Sequence, residues 1–418
     1  MAARFSFIGL IILLWALPAC GQNRYEINRL EYGNAVNTES RTIELQSKRR
    51  YDFAQREISV DNLFEGARLN GAAWQGNVLK VFISPENIPI NGSSWYAFRI
   101  TSRRKQSITI ELNYRHGNHR YQPKWSVDGE TWSPVDRSKI KINSTGDKAS
   151  FAVTLPAGKI WIAAQEVIDS KKVYDWCSAL SRLKYVKEHL VGRSALEKDI
   201  TCLDISAGNS KGKPIIVILG RQHPPEVTGH LALQAFVERM LSHERSSAFF
   251  KRYRVLVIPM VNPDGVDLGH WRHNAQGIDL NRDYAEYQQP EIKALTEFVV
   301  KTAASDKAKI IMGLDFHSTY EDVYYTNQET EGVALAGLEA EWLNAIRAGL
   351  AAHNYQLKQE KHSVTSNPSA QHWFYRQFKA LGITYEIGDN TERDFIKEKA
   401  RVSADALMEL LLKREDLQ

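Results

Sequence analysis

Five short apolar runs in the second half of the chain constrain its fold more than any other feature. They read DITCLDI, PIIVILG, YRVLVIPMV, KIIMGLDFH and GITYEIG. Runs of this length, rich in β-branched residues and nearly free of alternation, suit strands covered on both faces. Segments with helical spacing lie between them, at 226–242, 290–303 and 337–353. Strands alternating with helices predict an α/β unit: a mostly parallel twisted sheet flanked by helices, with ligands bound beyond the carboxyl ends of the strands.

The residues that follow those strand ends are chemically loaded. PIIVILG runs into GRQHPPEVTGH, which places His223 and Glu226 at a strand end, with Pro224 and Pro225 keeping the chain extended before a helix. With 12 histidines in the chain, one His-x-x-Glu match is expected by chance, so by itself this could be a proline-rich turn. KIIMGLDFH brings His317 to the equivalent level of another strand, and Asp315 two residues earlier could hold its imidazole. Two histidines and one carboxylate form a three-ligand set for a catalytic zinc with an open fourth position. After YRVLVIPMV, the stretch NPDGVDLGHWRHNAQGIDLNRD gathers Arg272, Asn281 and Arg282. Inside GITYEIG, Glu386 is a carboxylate in an apolar strand, costly unless a metal or its water accounts for it.

HPPE, NPDG, Arg272, DLNR, DFHS and YEIG, in that order, resemble the motifs of zinc carboxypeptidases of the M14 (funnelin) family. The β-rich region ahead of them, with SVDGETW, is similar to the N-terminal domain of the cytosolic-carboxypeptidase-like branch. The resemblance implies that His223, Glu226 and His317 bind one Zn2+ and that Glu386 is the general base. It implies that Arg272 stabilises the oxyanion and that Asn281 and Arg282 grip the terminal carboxylate of a peptide with a free C-terminus. A carboxylate in reach of an acidified water, and a planar guanidinium facing a carboxylate, suit those tasks. An acidic C-terminal preference follows from the same branch, with Arg376 as the pocket residue and His372 and Lys379 nearby; Arg376 and Lys379 also fit a solvated helix face. The sequence departs from digestive relatives in one place. KHSVTSNPSA carries no tyrosine where they place one on a mobile loop, and neither Tyr375 nor a nearby histidine is assigned that role.

Ahead of this unit, VLKVFIS, WYAFRIT, SITIELNY, ASFAVTL and KIWIAAQ alternate and are separated by turns, which predicts a small antiparallel β-sandwich. Asp128-Gly129 suits a tight hairpin, and Trp125 and Trp132 beside it suit cross-strand packing. The apolar stretch 5–17 is too short to span a hydrocarbon core of about 30 Å, and the preceding Arg4 and the following LPAC make it an export signal resembling a lipobox. The expected organisation is a lipoprotein signal peptide over 1–20, a sandwich over 21–168 and a catalytic domain over 169–418. Lipid on Cys20 would hold the protein in a bacterial cell envelope. Export also makes tubulin-like tails an unsuitable substrate. Cys177 and Cys202 remain as an even pair, either a disulfide or two buried thiols.

A net charge of +5, spread among nearly equal numbers of bases and acids, argues against nucleic acid as a partner. Two other readings share parts of the pattern. A deacylase of the aspartoacylase type, or a murein-peptide amidase, would keep the metal set and a DLNR-like turn, but resembles this chain less in NPDG and lacks such a sandwich. A non-catalytic surface binding protein would not need a complete set of metal and base residues.

Overall fold

A computed structural model describes residues 25–34 and 36–414. Cys20 and its signal lie outside the described residues.

The sandwich comprises two sheets. One orders the strands Arg50–Phe53, Ile58–Asp61, Ala97–Ser102, Gly158–Ala163, Lys124–Ser126 and Ser133–Pro134; the other orders Gly71–Gln75, Val78–Ile83, Gln106–Tyr114, Lys148–Leu155 and Lys141–Ile142. Pairing is antiparallel except between Val78–Ile83 and Gln106–Tyr114, which run parallel. Period-2 alternation points Leu79, Val81, Ile110 and Leu112 of one sheet at Phe98, Ile100, Ile160 and Ile162 of the other. The strands before residue 78 escape a sequence reading because RYDF and GAAWQ are half-exposed and ISVD, though buried, is only four residues long. Gly129, at φ +80°, turns the chain within a loop of residues 127–132, longer than the tight hairpin expected, and Asp128 Oδ1 accepts from the backbone of Glu130 and Thr131 at 2.8 and 2.7 Å.

The large sheet has eight strands: β1 Val186–Arg193, β2 Asp199–Ile205, β3 Ile215–Gly220, β4 Arg254–Ile258, β5 Ile310–Thr319, β6 Val323–Asn327, β7 Gln359–His362 and β8 Leu381–Gly388. Their order is β1-β2-β4-β3-β5-β8-β6-β7. The central strands β4, β3, β5 and β8 are mutually parallel, whereas β1, β2 and β6 join antiparallel, so the sheet is mixed with a parallel heart. The α/β expectation holds. A helix, Ser170–Leu180, leads into the sheet, and VKEHLVGR after it is the edge strand β1, half-exposed and bonded among the described strands to β2. The expected helices are found at Val227–Ser242, Pro290–Asp306 and Leu338–Gly349.

Helices Val227–Ser242, Leu338–Gly349 and Arg393–Lys413 cover one face of the sheet, and Pro290–Asp306 and Ala370–Phe378 the other. Cys202 lies on the face of β2 that carries Ile200, while Cys177 packs with Leu203 and Ile205 on the opposite face, so both are free thiols. Residues 28–34 and 36–38 run along the large-sheet unit, where Thr38 Oγ1 donates to Asp283 Oδ1 at 2.5 Å and Leu30 and Tyr32 join its core.

Candidate metal centre

The carboxyl ends of β3, β5 and β8 meet at one point. Past β3, Arg221 adopts φ +51° and turns the chain out of the sheet, so that the HPPE segment folds back and Glu226 becomes the N-cap of helix Val227–Ser242. The first turn of that helix lies directly on β5. A Cβ on Gly229 would stand 2.3 Å from His317 O, and the Gly229 N–H donates to Ser318 Oγ at 2.8 Å. Glycine is required there by close approach, and this contact fixes the two ligand-bearing segments relative to each other.

His223, Glu226 and His317 are all buried, with their donor atoms within 4.8 Å of one another. His223 Nδ1 is 2.8 Å from Glu226 Oε1, His317 Nδ1 is 2.7 Å from Glu226 Oε2, and the two Nδ1 atoms are 3.2 Å apart. Each ring turns its other nitrogen to a carboxylate: His223 Nε2–H donates to Asp279 Oδ1 at 2.9 Å and His317 Nε2–H to Asp315 Oδ2 at 2.7 Å. Those bonds select the tautomers that leave both Nδ1 lone pairs aimed inward at an anionic carboxylate. Three inward-facing, electron-rich donors repel one another unless a cation sits among them. Two imidazoles and one carboxylate, each oriented from behind, fit zinc.

Asp279 belongs to the DLNR turn, but its part was not legible there. One oxygen holds His223 and the other accepts from Arg272 Nε at 2.9 Å. Burial alone would raise its carboxyl; Arg272 and His223 outweigh this and hold it well below the usual range. Arg272 Nη1 also approaches Glu226 Oε1 at 3.9 Å. Asn281 Oδ1 accepts from Ala370 N at 2.8 Å, and Asn281 Nδ2 stands 3.4 Å from His317 Nε2. Arg282 donates from Nη1 to Asn281 O at 2.7 Å and lines the same cavity.

Glu386 pairs in register with His317 on the adjacent strand. Burial is the main cause that pushes its carboxyl up to about 8; Glu226 and Asp315 add to it, while His317 and Arg272 oppose it. A dication at the neighbouring ligands acts in the opposing direction. The cavity over these groups measures about 310 Å³, and among the described residues its only carboxylates are Glu226 and Glu386. Its remaining walls are hydroxyls, amides, Arg120, Arg272, Arg282, Tyr320, Tyr325, His362 and His372.

Arg376 is not among them, which corrects the sequence expectation. Its guanidinium stacks 4.5 Å from the Tyr32 ring centroid and donates to Glu31 O, because its turn of helix Ala370–Phe378 faces the N-terminal segment. Tyr375 is also turned away, donating to Glu331 O at 3.0 Å. His372 is on the cavity side, with Nδ1–H donating to Asn367 O at 2.8 Å.

The sandwich reaches this site directly. Glu86, fully buried, accepts the backbone N–H groups of Trp271, Arg272 and His273 at 2.8, 3.0 and 2.8 Å. Trp271 Nε1 donates to Trp95 O at 2.9 Å, and Arg120, Ser93 and Asn91 line the cavity. No sequence signal marked these residues, since nothing in their local pattern distinguishes them from other sandwich loops.

The fold is shared with metallo-carboxypeptidases from Burkholderia cenocepacia (TM-score 0.71, 17% identity, 85% of this chain and 99% of that one) and Pseudomonas aeruginosa, the latter solved in complex with (2-guanidinoethylmercapto)succinic acid (TM-score 0.67, 17% identity, 86% and 100%). In sequence the chain is 24% identical to cytosolic carboxypeptidase 2 of Danio rerio over 71% of its own length, and 23% identical to an uncharacterized protein of Zymomonas mobilis over 59%. It spans 40% and 65% of the lengths of those two relatives. Residues 173–408, more than half of the chain, match the family model described as zinc carboxypeptidase. The chain therefore belongs to the zinc carboxypeptidase family, Peptidase_M14.

Proposed function

We propose that the protein is a zinc-dependent metallocarboxypeptidase that hydrolyses the C-terminal peptide bond of peptides. The observation that carries this reading is the convergence of His223, Glu226 and His317 in one cavity with Glu386, Arg272, Asn281 and Arg282. Zinc held by the triad would supply Lewis acidity toward a carbonyl and lower the pKa of water. Glu386, whose Oε2 has no hydrogen-bond partner among the described residues, takes a proton from the attacking water and passes it to the departing amine. Arg272, fixed by Asp279, donates to the carbonyl oxygen as negative charge develops there. Asn281 and Arg282 hold the terminal carboxylate, which sets the cut one residue from the end.

An acidic last residue is the preference that the cavity supports. Among the described residues its walls carry no aliphatic side chain and no carboxylate beyond Glu226 and Glu386, while His372 and His362 are at hand and His372 Nε2 has no partner there. His372 replaces Arg376 in this role as the imidazolium: with Nδ1–H given to Asn367 O, only a protonated Nε2 donates to a carboxylate, which must offset the burial that lowers the ring's pKa. The anchoring reading rests on the lipobox-like LPAC: Cys20 carries lipid and the protein sits in a bacterial envelope, so that substrates are envelope or environmental peptides.

The test is zinc content together with turnover of peptides ending in Glu, Lys, Leu or Phe, each with a free or amidated C-terminus. Cleavage confined to free C-termini, fastest at Glu, is expected. Equal cleavage of amidated peptides would overturn the exopeptidase reading, and faster removal of Leu or Lys would overturn the acidic preference alone. Mass spectrometry of the mature N-terminus decides the lipid: an unmodified Cys20 overturns the anchor.

A further inference from the structure

We propose that Arg120, a residue of the sandwich, binds the main chain of the peptide upstream of the scissile bond. The inference rests on the carboxypeptidase reading and adds a subsite to it.

Arg120 lines the cavity with its side chain only 6% exposed. Its Nε donates to Asp389 Oδ2 at 2.7 Å and its Nη1 to Ser93 Oγ at 2.9 Å. Nη2 donates to no described residue. The guanidinium lies 4.5 Å from the ring centroid of Tyr320, a tyrosine that is 70% exposed. The ion pair is anchored at the ends of the two strands that carry His317 and Glu386. The Asp389 N–H donates to Thr319 O at 2.8 Å, and Asp389 O accepts from Gln165 Nε2 at 2.8 Å. Arg120 is thus held in a set position relative to both the metal ligands and the base. A donor needed only for packing would not leave its free N–H edge on a polar cavity.

Two walls of the cavity receive different parts of a peptide. Arg282 stands with Asn281 and the start of helix Ala370–Phe378, where the terminal carboxylate binds. Arg120 lines the cavity with Ser93 and Tyr320, from the sandwich and the end of β5, with Asp389 behind it. A peptide held at Arg282 and cut over the metal ligands extends its N-terminal part toward Arg120.

The charge state decides what Arg120 reads there. Asp389 already neutralises the guanidinium, so its remaining N–H groups are matched to a carbonyl dipole rather than to a second carboxylate. The ligand is therefore the backbone of a peptide of three or more residues, whatever its penultimate side chain. Dipeptides are too short to reach it.

The test compares unblocked dipeptides with tetrapeptides that share the same last two residues, with either Ala or Glu next to last, on the zinc-loaded full chain. Removing Arg120 alone would strand Asp389, so the variants are Arg120→Lys, which keeps a cation at Asp389, and the double variant Arg120→Met with Asp389→Asn. The readout is the ratio of kcat/KM for tetrapeptide over dipeptide, together with the same ratio of Kd measured by calorimetry in a Glu386→Gln background. One charge-assisted hydrogen bond corresponds to about a tenfold effect or more. A fall of about tenfold in both ratios is expected in both variants, mainly through KM, and equal for Ala and Glu. Unchanged ratios overturn the proposal, and so does a fall confined to penultimate Glu, which would mean that Arg120 reads side-chain charge. If the wild-type chain cleaves none of the peptides, the carboxypeptidase reading fails while the Kd ratio still decides Arg120.

Discussion

His317 and Glu386 are register partners on adjacent parallel strands, so side chains at the ends of β5 and β8 project on the same face, side by side. A ligand and a base placed this way share one rigid sheet edge, with no loop between them. Their separation is therefore fixed by the strand spacing of about 4.8 Å.

This arrangement separates metal binding from proton transfer. Alanine at His223, Glu226 or His317 should abolish stoichiometric zinc, because each substitution removes one of three protein ligands. Glu386→Gln should keep zinc and lose roughly 10²- to 10⁴-fold in turnover, the range for removing a general base. Elemental analysis beside steady-state kinetics checks both; full occupancy in the three alanine variants would refute the site.

Asp279 joins His223 to Arg272 through its two oxygens. Asp279→Asn keeps the shape but cannot accept on both sides, so zinc affinity or turnover should fall by about 10- to 100-fold, as for other carboxylates behind a ligand histidine. Competitive chelator titration measures the affinity. An effect below twofold on both quantities would deny Asp279 this role.

Glu86 tests whether the sandwich helps to build the catalytic cavity. As an anion it accepts three successive backbone N–H groups around Arg272, with His270, Arg68 and His273 outweighing burial to keep it ionised. In Glu86→Gln the amide N–H₂ would face backbone donors. Loss of about 1–3 kcal/mol in stability is expected, with turnover falling more than zinc affinity because Arg272 shifts while the triad does not. Denaturant unfolding and zinc titration of the same preparation separate these outcomes.

Acid should destabilise the protein through His270. Burial pushes its imidazole down to about 4, the nearby Glu86 opposing the shift. The folded chain thus binds this proton less readily than the unfolded chain does. The stability from neutral His270 is complete above about 6.5 and is lost as pH falls toward about 4, up to about 3 kcal/mol by linkage. Asp389, raised to about 6 chiefly by burial, has the opposite sign: its contribution is present below its ordinary value and disappears as pH rises through about 6. Urea unfolding at pH 4.5, 5.5 and 7 for wild type and His270→Asn isolates the histidine. The variant should show the flatter profile; parallel profiles would remove His270 as the cause.

Sequence alone determined where the chemistry would gather. The apolar runs of β3, β5 and β8 are local patterns, and a polar residue that ends or interrupts such a run can only lie at a strand's carboxyl end or be costly in the core. His223, Glu226, His317 and Glu386 were legible for that reason, and Asn281 and Arg282 through the motif they share. Tertiary structure decided everything that depends on which surface meets which. The two thiols fell on opposite faces of β2, and Arg376 turned to Tyr32 because residues 26–32 pack on its helix. VKEHLVGR became an edge strand because β2 offered it a partner. Glu86 and Arg120 reached the cavity only through docking of the sandwich, from positions 186 residues before Arg272 and 269 before Asp389. Contacts across such distances leave no periodicity in the chain, since the geometry that makes them exists only once both units have folded.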